Sequence, residues 1–142
     1  MRKYTSIFAT AEHKLITSIK DVKGRWSYHT MGFFLNGEAI GHGSLNLISK
    51  RRKIFETSAT EIFKKFRNKG HGIHLYIALI ETARSIGAKQ IQSDNTLNQF
   101  SRRMWQEKLA KIYPVKIRKT RRPCSHCDQD GLRRKYFYIE LT

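Results

Sequence analysis

Arg67-Asn68-Lys69-Gly70-His71-Gly72 is the stretch whose residue types and spacing bear most directly on chemistry. Glycines at 70 and 72 let the backbone approach a ligand closely, and Arg67 and Lys69 add positive charge beside them. The segment opens a helical pattern in which Ile73, Tyr76, Ile77, Ile80 and Ala83 recur at i, i+3, i+4 and i+7. The unpaired N–H groups of that helix's first turn therefore point at whatever occupies the loop and favour an anion. Pyrophosphate is the natural guest, although a lone G-x-G also suits an ordinary basic turn. The full G-x-G-x-x-G fingerprint and the G-K-[ST] of a P-loop are both missing. Cys124-Ser125-His126-Cys127-Asp128 has zinc-knuckle spacing, but a structural zinc needs four ligands and the second pair is absent. His42, His71 and His74 make no metal-spaced triad. No metal is expected.

The elements that must hold the loop follow from pattern. Leu15, Ile16 and Ile19 predict an amphipathic helix over residues 11–20, with Thr10 as N-cap. Residues 28–35 and 38–48 read as two strands joined at Asn36-Gly37, with glycines 41 and 43 marking a bulge or a close backbone approach. A β-rich run from 54 to 66 is the third strand. The buried helix spans 71–86 and ends at Gly87, a short strand covers 89–93, and a second long helix runs from 96 to 111 before Pro114. Two strands, 115–120 and 135–141, close the chain as a hairpin with a charged tip. This order predicts an α/β (α+β) fold, a single domain over 1–142 with a mixed central sheet of about six to seven strands flanked by helices.

With 142 residues there is material for one core, and no stretch approaches the roughly 18 apolar residues of a membrane span. The N-terminus lacks the apolar segment of a secretory signal, so a cytoplasmic protein with no membrane partner is expected. Twenty-eight Lys and Arg against eleven Asp and Glu give a formal charge of +17. Such a field draws polyanions: nucleic acid, a phosphorylated cofactor or an acidic protein face. Basic clusters at 50–53, 64–65, 102–103 and 111–135 exceed what one coenzyme needs, which leaves room for a DNA or RNA contact.

R-x-x-G-x-G placed after a strand and opening a helix resembles the coenzyme A pyrophosphate loop of the GNAT superfamily of acyl-CoA-dependent N-acyltransferases. NGEAIGHGSL is similar to that family's second and third strands, ETSATEIFKKF to its fourth strand, and residues 98–109 to its N-x-x-A-x-x-[LF]-Y-x-K-x-G helix. The resemblance covers about residues 28–112. Small size and basicity are also compatible with compact phage acyltransferases that modify bases.

The resemblance implies acetyl-CoA as co-substrate, an amine acceptor of unspecified class, and direct attack of the amine on the thioester in a ternary complex. It implies that Arg67, Asn68, Lys69, Gly70, His71 and Gly72 hold the pyrophosphate. The pantetheine arm would bond the backbone near Glu61, Ile62 and Phe63, with Asn98 and Ser101 close to the arm and its thiol. Where many members carry an acidic tyrosine the sequence has Trp105, whose indole cannot serve as an acid at neutral pH. Ser101, a water or Tyr113 are the substitutes, or the thiolate leaves unprotonated. Candidate bases are Glu56 and Glu61 on the fourth strand and Asp94 at the end of the fifth. The competing reading is a nucleic-acid-binding or base-modifying protein on the same fold.

Overall fold

The computed structural model describes residues 4–9, 13–19, 28–93, 99–119 and 135–141. Eight strands form one mixed sheet, in the order β1-β2-β3-β4-β5-β6-β8-β7. They are β1 Tyr4–Ala9, β2 His13–Ile19, β3 Tyr28–Leu35, β4 Glu38–Ser49, β5 Ile54–Ile62, β6 Gln90–Gln92, β7 Lys116–Lys119 and β8 Lys135–Glu140. The first five make an antiparallel meander, whose β3–β4 turn is Asn36-Gly37 with both residues at positive φ. That is the turn geometry whose twist matches flanking strands.

The helix expected over 11–20 is instead β2. Its residues pair with β1 on one side and β3 on the other, from His13↔Leu35 to Ile19↔His29. Leu15, Ile16 and Ile19 fit helical spacing, but a ladder on both edges satisfies the whole backbone and overrides that local pattern. With β1, this raises the strand count above the six to seven predicted. The run expected to stay extended to residue 66 stops at Ile62, and Lys64–Phe66 wind into a short 3₁₀ turn.

Helix α1, His71–Ser85, buries Leu75, Tyr76, Ala78, Leu79, Ile80, Thr82 and Ala83 against one face of the sheet. Leu45 and Phe55 meet it there, within the same core cluster. Gly87, at φ 93°, ends α1: its N–H donates to the Arg84 carbonyl and that of Ala88 to the Ala83 carbonyl. Only glycine takes this left-handed C-cap position without strain. The second helical segment begins as α2, Gln99–Arg103, continues as a π-helix over Met104–Lys108 and closes as a 3₁₀ turn over Leu109–Lys111. It was expected as one regular helix. Met104, Trp105 and Leu109 are all essentially inaccessible, and the wider winding keeps these three large side chains on the core side. Among the described residues no helix is long and apolar enough to cross a membrane.

Strands β5 and β6 are parallel, and their ladder is three residues long, Ile54↔Gln90 to Glu56↔Gln92. Past that point the chain leans to β8: Ser93 N–H donates to the Phe137 carbonyl at 2.8 Å, and Phe137 N–H to Ser93 Oγ at 2.9 Å. Among the described residues the rest of β5 has its ladder partner on the β4 side alone, which leaves a gap in the described sheet beside residues 57–62.

Candidate active site

The end of β5, the loop after it and the start of α1 enclose a cavity of about 530 Å³. Thr60, Asn68, Gly70, His71 and Gly72 line it from this side, and Phe100 and Lys108 from the second helical segment. Asn68 and Gly70 sit at φ 63° and 82°, so the chain turns sharply and delivers the α1 N-terminus to the cavity. Gly70 is the N-cap and supplies no side-chain acceptor, and the first turn holds no acidic residue. These N–H groups suit an anion from outside the chain.

The cations of the loop divide into two kinds. Arg67 Nε donates to the Ile62 carbonyl at 2.7 Å, and Arg67 Nη2 lies 3.6 Å from Glu61 Oε1. It braces the strand end against the loop. Lys108, exposed at the cavity wall, makes no ion pair among the described residues. Neither Lys108 nor Phe100 was singled out from the sequence, because only the fold over of the second helix brings them to the loop.

A bulge in β5 arranges the carboxylates. Ser44↔Ser58 is followed by His42↔Glu61, so β5 holds one extra residue, and Ala59 adopts φ 50°. The insertion reverses the alternation of side chains. Thr57 packs on the helix face before it, and Thr60 returns to that face after it, its Oγ1 2.8 Å from the buried Tyr76 hydroxyl. Glu56 and Glu61, of opposite parity, consequently share the face away from α1. Glu61 lies between His42 Nε2, at 3.4 Å, and Arg67. Gly43, opposite the bulge, is where an added Cβ would come within 2.9 Å of Leu79, and at Gly41 one would strike the Glu61 carbonyl. The close approach expected at these two glycines is present.

Phe63 is committed to the protein: its N–H donates to the Ile40 carbonyl at 2.9 Å, and its carbonyl accepts from Phe66 N–H at 2.8 Å. Strand alternation turns the groups of Ile62 and Thr60 the other way, toward the gap beside β6.

On the opposite face a second cavity, of about 270 Å³, is lined by Glu56, Gln90, Gln92, Arg52, Arg118 and Tyr136, among others. The two cavities share β5. Ser101 lies on α2, half-buried, outside the lining of either. Asp94, Asn98, Cys124 and Cys127 fall outside the described residues. No group of three or more His, Cys, Asp or Glu among the described residues could hold a metal ion.

Trp105 is a core residue. It is fully buried, stacked on Phe137 at 6.5 Å between centroids and edge-on to Tyr76 at 6.2 Å, and its Nε1 has no hydrogen-bond partner among the described residues. Tyr113, the other aromatic considered for the acid, is remote from the loop, donating to Glu81 Oε2 at 3.0 Å in the C-terminal half of α1. Burial, together with the Glu81 hydrogen bond and charge, pushes its pKa well above the ordinary tyrosine value, so it is a still weaker acid. Trp105→Phe is expected to leave the pH profile of the catalysed step unchanged and to shift stability by less than about 1.5 kcal/mol. The smaller ring loses packing, and removal of the orphan N–H returns a comparable amount. Chemical denaturation and a pH–rate profile check both.

Against known families, residues 2–110 match the acetyltransferase (GNAT) family model. The chain belongs to that family. GNAT members are acyl-CoA-dependent N-acyltransferases, whose co-substrate carries a pyrophosphate, the kind of anion that the α1 N-terminus suits. Solved structures with this fold include a diaminobutyrate acetyltransferase from Paenibacillus lautus, in complex with L-2,4-diaminobutyric acid and coenzyme A. It is 18% identical with a TM-score of 0.57, over 79% of this chain and 69% of that one. An acetyltransferase from Bacillus subtilis in complex with CoA is 18% identical with a TM-score of 0.53, over 81% and 78%. The PaiA N-acetyltransferase from Thermoplasma acidophilum, also with coenzyme A, is 15% identical with a TM-score of 0.54, over 80% and 60%. No curated protein matches the sequence.

Proposed function

We propose that this GNAT protein moves an acetyl group from acetyl-CoA to a primary amine by direct attack in a ternary complex. The observation that carries the reading is the coincidence of an uncapped helix N-terminus, a cavity of about 530 Å³ and a one-sided strand beside a gap in the sheet. In this reading Asn68 to Gly72 and the α1 N-terminus bind the pyrophosphate, Lys69 and Lys108 add charge, and Arg67 positions the loop. The Ile62 N–H bonds the pantetheine arm as a neighbouring strand would. The Thr60 N–H stabilises negative charge developing on the thioester oxygen.

Attack forms the C–N bond and breaks the C–S bond. Glu56 accepts the proton lost by the amine, directly or through one water. Thr60 hydroxyl, its oxygen already engaged by Tyr76, hydrogen-bonds the departing thiolate, which then takes a proton from water. Trp105 takes no part. Glu61 holds Arg67 and His42 in place. Asn98 keeps the place beside the pantetheine arm that the family resemblance implies for it.

The diaminobutyrate enzyme's amino-acid substrate supports a small amine as acceptor. The nucleic-acid alternative draws on charge alone, and none of the reported relatives names a nucleic acid. Calorimetric titration with coenzyme A, followed by thiol release from acetyl-CoA in the presence of amines, tests the reading. Micromolar binding and amine-dependent release are expected. Absence of coenzyme A binding would end it.

A further inference from the structure

The second cavity lies across the sheet from the first, and apart from Glu56 the acyl-transfer reading leaves its charged residues unused. Its described walls are mostly polar, with Ile48 and Ile54 the apolar members, Glu56 the one carboxylate and Arg52 and Arg118 the two cations. Gln90, 8% exposed, is buried within it and donates from Nε2 to Gln92 Oε1 at 3.4 Å.

Arg118 is held ready. Its guanidinium lies 4.6 Å from the centroid of the Tyr138 ring, and Nη2 donates to the Tyr138 hydroxyl at 3.3 Å. Hydrogen bonds donated to Tyr136 and Tyr138 raise its pKa further, so it is always charged. The nearby carboxylate on β8, Glu140, is taken by Lys116 at 3.3 Å. Arg118 makes no ion pair among the described residues. A planar fork fixed against two tyrosines loses little freedom when it grips a carboxylate.

A volume of about 270 Å³ holds roughly ten non-hydrogen atoms, at about 20–30 Å³ for each. That is the size of a small molecule such as an amino acid. A polyamine would meet two arginines there and one carboxylate.

We propose that this cavity binds the acyl acceptor and that the acceptor is a small amine bearing a carboxylate. Its ammonium group lies toward Glu56 and its carboxylate toward Arg118, with Gln90 and Gln92 bonding the atoms between. The inference rests on the N-acyltransferase reading for its consequence, since the amine held beside Glu56 is the one placed next to the gap in the sheet.

The test takes free amino acids paired with their own carboxamides, and spermidine as a carboxylate-free amine. Calorimetry without coenzyme A measures binding to the wild type and to Arg118→Gln. At least one amino acid should bind tenfold or more tightly than its amide, and the substitution should abolish that preference while leaving coenzyme A affinity unchanged. In turnover with acetyl-CoA the same variant should raise KM for the amino acid and not for the amide. Equal affinity for acid and amide, preference for spermidine, or equal losses for both in the variant would overturn the proposal, whether or not transfer occurs. A protein that binds amino acids in this way but not coenzyme A would instead refute the acyltransferase reading and leave the site standing.

Discussion

Glu56→Gln is expected to lower kcat for acyl transfer by roughly 10²- to 10³-fold, the usual yield of a positioned general base, with coenzyme A affinity unchanged. The amide keeps the size and polarity of the side chain at the edge of the second cavity and removes its ability to take a proton. The limb that a general base gives the wild-type pH–rate profile should be missing from the variant. Glu61→Gln is the informative partner. Glu61 is placed between His42 and Arg67, so its loss loosens the loop brace and should weaken coenzyme A binding with little effect on the pH profile. A silent Glu56→Gln beside a Glu61→Gln that loses the limb would transfer the base assignment to Glu61.

Gly72→Val is expected to weaken coenzyme A binding by tenfold or more while the protein remains folded. A Cβ at this position would meet Phe100 Cζ and Met104 Cε, both at 3.2 Å. Phe100 is largely exposed, whereas Met104 is buried, so Phe100 gives way and swings across the cavity it lines. Overpacking of this kind costs about 1–3 kcal/mol of stability. Gly87→Ala provides the control. It places a side chain at φ 93° at the far end of α1, where an added Cβ meets nothing within 4 Å. It should cost about 1 kcal/mol through backbone strain and leave coenzyme A affinity untouched. Equal losses of affinity in the two variants would mean that Gly72 acts through stability and not through the cavity.

The glycine loop and α1 were legible in residues 67–86, because a basic glycine pair followed by a long 3.6-residue apolar period leaves few alternatives to a loop opening a buried helix, and the family was legible in the resemblance over about residues 28–112. The Asn36-Gly37 hairpin and the terminal β7–β8 pair were legible for the same reason, since turn chemistry and alternation are local properties. Tertiary structure decided the rest. Leu15, Ile16 and Ile19 satisfy a helix as well as a strand, and only the ladders offered by β1 and β3 make β2 extended. The bulge at Ala59 has no signature in its own residue type, yet it puts Glu56 and Glu61 on one face and turns Thr60 toward Tyr76. Trp105 stood in the sequence at a position that the resemblance makes catalytic. Packing between Phe137 and Tyr76, some thirty residues away on either side, makes it core instead. Arg118, Gln90 and Glu56 are separated by dozens of residues, and they share a cavity only because β5, β6 and β8 are neighbours in the sheet and β7 lies beside β8. Pattern in a sequence reports short-range constraints, whereas the second cavity of this protein is built from long-range strand order, which no local spacing encodes.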